Sequence, residues 1–281
     1  MQFGISTHLY HDLRLEQQHL VEVASYGFEE IELFATRSHF DYRDPAAIDA
    51  LAEWLAASGL TLRSVHAPIT ARFAAGDQWA PTFSNASSDA ALRQATVEET
   101  AAALAIARRI PFSVLVVHLG TPESKAAAAD NSRAAASRSA EEICRLAEPL
   151  GVRVAFEVIP NALSSPSALA TMLDRDLDSP VAGICLDFGH AFLGGDVADA
   201  VETVAEHLIA THVHDNHRRS DEHLPPYRGA IGWDAALMSM QKIGYDGTYM
   251  MELANTGTPA AVLEDARRAR QQFEKALTVW D

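Results

Sequence analysis

Along its whole length this chain alternates short apolar, β-rich segments with helical stretches, and no other feature restricts its fold as much. The strand segments are Phe3–Thr7, Glu30–Phe34, Leu62–His66, Val114–His118, Arg153–Val158, Gly183–Asp187, Ala210–His214 and Tyr249–Leu253. Strands that alternate with helices signal a parallel sheet with crossover connections. Helices are expected at Leu15–Tyr26, Pro45–Ser58, Asp89–Arg109, Ser124–Leu150, Ser167–Leu173, Val197–Ala205, Trp233–Ile243 and Pro259–Leu277. Gly27 and Gly59 stand just past the first two as stop signals, and the two Ala-rich stretches hold long runs of good helix formers. Eight units over residues 1–281 fit a single-domain (β/α)8 barrel. An open doubly wound sheet is the rival architecture.

The ends of these segments read Glu32, His66, His118, Glu157, Asp187, His212 and Glu252. In a barrel the C-terminal ends of the strands share one mouth, so these side chains would converge there. Any one of them alone could be a satisfied polar group at a loop junction. Imidazole and carboxylate are the ligand types of zinc, manganese and related ions, whereas no thiolate cluster is present. Several unpaired acids in one cavity would also cost too much desolvation without a cation among them. One or more divalent metal ions, with zinc or manganese undecided, are therefore expected. His190 follows Asp187 by three residues, and Asp221 and His223 follow the seventh strand; a solvated loop is the other reading of that last pair.

The formal charge of −16, from 38 acidic and 22 basic residues, repels polyanions and makes nucleic acid an unlikely partner. Arg37, Arg72, Arg218, Arg219 and Arg228 are scattered rather than clustered. No apolar run reaches the roughly 18 to 20 residues of a spanning helix, and Met1–Thr7 has no basic leader. A cytoplasmic protein with Cys144 and Cys185 as free thiols is expected. No heptad or apolar patch marks an interface, which leaves a homodimer and a monomer both open.

These residues resemble the xylose isomerase-like TIM barrel superfamily, which includes ketose 3-epimerases, inosose dehydratases and endonuclease IV-type apurinic endonucleases. The resemblance spans nearly the whole chain and is most specific at Val154-Ala155-Phe156-Glu157, Asp187 with His190, His212-Val213-His214-Asp215-Asn216 and Met251-Glu252-Leu253. It implies a single-metal quartet of Glu157, Asp187, His212 and Glu252. His212 is preferred over His214 because the family's ligand is followed three residues later by an acid, here Asp215; His214 would line the pocket. An arginine six residues past that ligand, here Arg218, matches the epimerases. The endonuclease branch implies further ligands at His66, His118, His190, Asp221 and His223, but where it reads Gly-Glu-Gly this chain has Tyr227-Arg228-Gly229. Together the two branches of the resemblance imply one to three ions per chain.

Two activities follow. In the first, a metal-dependent isomerase or epimerase of a small sugar, sugar phosphate or polyol uses Glu157 and Glu252 as paired proton-transfer bases. There His190, His214 and Arg218 would bind the carbohydrate-like substrate, and the loop Pro68–Asn85, with Phe73, Trp79 and Phe83, would cover the pocket or be a packed insertion. In the second, two or three zinc ions hydrolyse a phosphoester. A catalytically silent metal-binding barrel is the third possibility.

Overall fold

The protein is described by a computed structural model covering residues 2–72 and 82–280. Its strands are β1 (Gln2–Ser6), β2 (Glu30–Phe34), β3 (Thr61–His66), β4 (Val114–Val117), β5 (Arg153–Glu157), β6 (Ala182–Asp187), β7 (Leu208–Val213) and β8 (Thr248–Met251). They pair in parallel in chain order, and β1 pairs with β8 as well as β2. The sheet is thus a closed barrel and not the rival open one. Helices α1 (Gln17–Ser25), α2 (Pro45–Ser58), α3 (Ala90–Leu104), α4 (Arg133–Ala147), α5 (Pro166–Arg175), α6 (Phe188–Gly194), α7 (Val197–Val204), α8 (Trp233–Lys242) and α9 (Pro259–Trp280) run between and after the strands.

The two-residue period of each strand sorts side chains onto two surfaces. On β5, Val154 and Phe156 join the large core beneath the helices, whereas Ala155 joins a small inner cluster with Val114, Val116 and Cys185. Two residues further along, by the same period, Glu157 follows Ala155 and Asp187 follows Cys185 up the inside of the barrel. Pairing shifts register between Ile31 and Glu32, and again between Ile184 and Cys185. These irregularities set Glu32 opposite Ser64 and Asp187 opposite His212, the kind of re-aiming for which bulges near functional sites are used.

Local signals explain most boundaries. Asp44 accepts from Ala46 N at the start of α2, Pro45 occupies its first turn, and Gly59 ends it at φ 69°. Ser124–Leu150 is not one helix. A short 3-10 turn at Glu123–Lys125 precedes a loop, and α4 starts only after Ser132. The Ala-rich segment makes its hydrogen bonds elsewhere: the backbone Ala129 O accepts from Ser88 N at 2.7 Å and Asp130 O from Ser84 Oγ at 2.5 Å, and the side-chain Asn131 Oδ1 accepts from Thr121 N at 2.9 Å. Tertiary contacts override alanine's helix propensity here. His118, His214 and Glu252 lie just beyond their strands rather than at their last residues.

Phe73 and Trp79 of the long β3–α3 loop lie outside the described residues; Phe83 N donates to Ile69 O at 2.9 Å. Cys144 and Cys185 are free and buried. No helix among the described residues is long and apolar enough to cross a membrane. On the outside of the barrel, fully buried Phe273 of α9 touches the rings of Phe3, Tyr249, Trp233 and Tyr227, tying the last helix to the β1–β8 seam. Phe273→Ala is expected to cost roughly 3–5 kcal/mol, read as a lowered urea midpoint.

Candidate metal centre

The strand-end residues converge. Glu157 sits at the centre: its Oε2 lies 2.9 Å from His118 Nε2 and 3.2 Å from His66 Nε2, and its Oε1 lies 3.3 Å from His212 Nδ1 and 3.5 Å from His190 Nδ1. His212 Nδ1 is also 3.5 Å from Glu252 Oε2 and 4.0 Å from Asp187 Oδ2. Among the described residues four ligand groups result, each with ligand atoms within 4.8 Å of one another: Glu157–Asp187–His212–Glu252, His66–His118–Glu157 and His66–His212–Glu252, which share members, and the separate His190–His214–Asp221–His223. All nine positions singled out from the sequence are brought together, and His214 joins them.

Most of the imidazoles are oriented alike. The Nδ1 of His66 reaches Ala67 O at 2.7 Å, that of His190 reaches Val158 O at 3.1 Å and that of His223 reaches Glu252 O at 2.9 Å. A carbonyl only accepts, so each Nδ1 carries the proton and turns Nε2 inward. His212 is reversed, with Nε2 3.1 Å from both oxygens of Glu32.

Burial works against every charge here, and proximity outweighs it. Burial would raise the Glu157 carboxyl, but His118 and His212 hold it well below the usual carboxylate range. Burial would lower His190, but Asp187 and Asp221 push it well above an ordinary imidazole. His223 is likewise opposed by burial and raised by Asp221, to about 9. His118 is the exception, with burial keeping it low.

The loop from β7 to α8 delivers Asp221 and His223, and Asp215 holds that loop. Its buried carboxylate accepts from Asn216 N, Tyr227 N, Ile231 N and Trp233 Nε1 at 2.8–3.1 Å. Its backbone pairs twice with Leu224. Those bonds fix His223 at φ 47°, an uncommon conformation for a residue with a Cβ. Gly189 contributes by size, since a Cβ there would lie 2.0 Å from the His214 ring.

Arg218, expected at the substrate, places its guanidinium 3.0 Å from Gly195 O and over the Phe192 ring. Arg37 pairs with Asp41, and Arg228 with Asp265. Sequence reasoning overlooked His8, which lies in the turn after β1 with Nδ1 3.1 Å from Leu253 O and its ring stacked on His223 at 4.8 Å. Strand-end counting stopped at Thr7, one residue short.

A divalent ion fits these residues. Glu157 Oε1, His212 Nδ1 and His214 Nδ1 are buried with no hydrogen-bond partner, although His212 Nδ1 faces three carboxylates. Ligands at roughly 2.1 Å from one ion lie about 3–3.5 Å apart, close to the separations around His212 Nδ1. The donors are all nitrogen and oxygen, as borderline and hard divalent ions prefer.

The sequence model of the xylose isomerase-like TIM barrel family matches residues 20–275. An uncharacterized protein of Methanocaldococcus jannaschii, MJ1311, is 28% identical across 99% of this chain and 90% of its own length. The crystal structure of a D-tagatose 3-epimerase-like protein superposes with a TM-score of 0.79 at 26% identity, covering 99% of this chain and 98% of that one. An IOLI protein with a binding zinc atom gives 0.76 at 16% identity over 97% and 98% of the two chains.

Asp215→Ala strands four donors, at about 1–3 kcal/mol for each one left buried. The expected result is a destabilised protein cut faster by protease within residues 217–228, with barrel ellipticity intact. In chelator-treated protein, His223 binds its proton more tightly folded than unfolded, where its value is 6.5. That stabilisation is whole below about pH 6.5 and gone above about pH 9. Melting temperatures of the metal-free protein should therefore fall across this window, and added zinc, which needs neutral imidazoles, should offset the fall.

Proposed function

Because the chain belongs to the xylose isomerase-like TIM barrel family, we propose that it is a divalent-metal-dependent isomerase or epimerase of a small sugar, sugar phosphate or polyol. One observation carries the reading: Glu157, Asp187, His212 and Glu252, from four successive strands, place ligand atoms within 4.8 Å of one another. The likeness to the D-tagatose 3-epimerase-like protein supports it.

Glu157, Asp187, His212 and Glu252 would hold the ion. When bound, such an ion supplies Lewis-acid polarisation of a carbonyl oxygen, which acidifies the neighbouring carbon. Glu157 is ionised at neutral pH, and its Oε1 has no hydrogen bond. It can accept a proton from a carbon alpha to the carbonyl at that oxygen. Glu252, whose Oε2 lies 3.5 Å from His212 Nδ1, would return a proton to the opposite face; exchange of roles reverses the reaction. His118 and His66 hold Glu157 Oε2 and so aim Oε1. His190, His214 and His223 line the other side of the mouth and are the residues to bind hydroxyls. Arg218 would have to leave Gly195 O to reach a substrate.

A second reading, a phosphoesterase with two or three zinc ions, is favoured by the three further ligand groups, one of which shares Glu157 with the quartet. Metal analysis and isotope exchange separate the two. The isomerase reading expects one tightly held ion per chain and, with ketoses or inososes in D2O, deuterium entering the carbon next to the carbonyl. Glu157→Gln and Glu252→Gln should each slow that exchange by about 10²-fold or more, and Asp187→Asn should lose the ion. Two or three ions per chain, hydrolysis of phosphoesters including abasic DNA and no isotope exchange would establish the second reading and sink the first.

A further inference from the structure

Against the carbonyl-anchored histidines of the mouth, His212 is turned the other way. His66, His190 and His223 each commit Nδ1 to a backbone carbonyl, whereas His212 commits Nε2 to a carboxylate. That carboxylate is Glu32, fully buried on β2, and its Oε2 also accepts from Ser64 Oγ at 2.8 Å. Glu32 lies across the ring from the quartet: His212 Nδ1, at the opposite end of the imidazole, faces Glu157, Glu252 and Asp187. None of the ligand groups includes Glu32. It is 0% exposed, and its side-chain hydrogen bonds among the described residues run to His212 and Ser64.

We infer that Glu32 is a positioning residue that fixes the tautomer of His212, so that Nε2 keeps the proton and the bare Nδ1 is presented as ligand. The inference rests on the metal-dependent reading above. Three observations converge on it. A carboxylate cannot donate, so a hydrogen bond between Glu32 and His212 puts the proton on Nε2. The Nε2–H can point at one oxygen only, which leaves Glu32 Oε1 without a hydrogen bond while still 3.1 Å away. And Nδ1, although buried, has no hydrogen bond of its own, as a ligand atom should when its ion is not counted. A carboxylate behind a ligating imidazole also raises its basicity more than a carbonyl does. His214 has the same orientation, with Nε2 3.0 Å from Asp187, but Asp187 is itself a member of the quartet, whereas Glu32 belongs to no ligand group. The register shift between β2 and β3 is what makes this possible, because it sets Glu32 opposite Ser64 on the inner surface.

The test compares the full-length wild-type chain with Glu32→Gln and Glu32→Leu by zinc competition against a chelator and by long-range 1H–15N spectra of His212. Removing a carboxylate behind a metal-bound histidine lowers affinity by about 10- to 100-fold, and both variants should show that loss at one ion per chain. In wild-type protein the proton should sit on Nε2, both with zinc bound and in metal-free protein at alkaline pH. In metal-free Glu32→Leu the two tautomers should mix. Unchanged affinity in both variants, or a wild-type His212 protonated on Nδ1, overturns the inference. A wild-type chain that binds no zinc overturns the metal-dependent reading instead, and the metal-free tautomer then decides the role of Glu32 by itself. Should the variants fail to fold, the wild-type tautomer still decides it.

Discussion

Four carboxylates, Glu32, Glu157, Asp187 and Glu252, are at most 3% exposed inside one barrel mouth. A buried charge survives only beside a partner, because its desolvation costs far more than a single hydrogen bond returns. Everything near the mouth answers that constraint. Each acid has an imidazole within about 3.5 Å or less, and the carbonyl-anchored His66, His190 and His223 turn Nε2 toward an acid. The apolar core beneath the helices imposes no such geometry; it closes the barrel and leaves the mouth to electrostatics.

The constraint also explains where the chain departs from regular geometry. The positive-φ residues that carry a Cβ, among those described, are Arg218, His223 and Tyr227, all in the β7–α8 loop. Strain of order 1–3 kcal/mol per such residue needs surrounding structure to hold it. Asp215 provides it with four accepted hydrogen bonds, and Ala254 N adds one to His223 O at 2.9 Å. In return the loop brings Asp221 to His190 and His223, at 3.1 Å from each. Gly229, where a Cβ would meet Asp215 Oδ1 at 2.3 Å, belongs to the same device. Asp215 therefore acts on the mouth by shaping the loop that carries its outer residues, and not as a ligand.

Much of this could be read from the residues, for a physical reason. A strand has a period of two and a barrel has one mouth, so a polar residue ending an apolar segment has one direction available. That logic reached Glu157, Asp187 and His212. It missed His8, which sits in a turn past β1 where the period no longer applies. It also gave Glu32 the standing of a strand end, although Glu32 is the middle residue of β2, since a ligand and the residue behind a ligand both point inward from a strand. What separates them is the face of the His212 ring each one meets, which depends on a one-residue register shift that leaves no mark in composition or periodicity. The Ala126–Ala129 run misled in the opposite way: its helix propensity is real, but its carbonyls and neighbouring side chains serve the β3–α3 loop.

The same constraint bears on how the two functional readings relate. Five carboxylates line the mouth once Asp221 is counted, and His66, His190, His212 and His223 all bind protons more readily than free imidazole. Without an ion, these imidazoles are the positive partners available to the five carboxylates. An ion bound in the quartet brings two positive charges, and its ligation of His212 needs that ring neutral, so protons leave as it enters. Each further ion in an outer group displaces more imidazolium protons in turn. The single-ion and multi-ion states are thus built from one set of residues and differ in proton count. The quartet holds three acids to one imidazole and the outer groups hold more imidazole than acid, so under the proposed reading the quartet would take the first ion and leave the outer histidines to face a substrate.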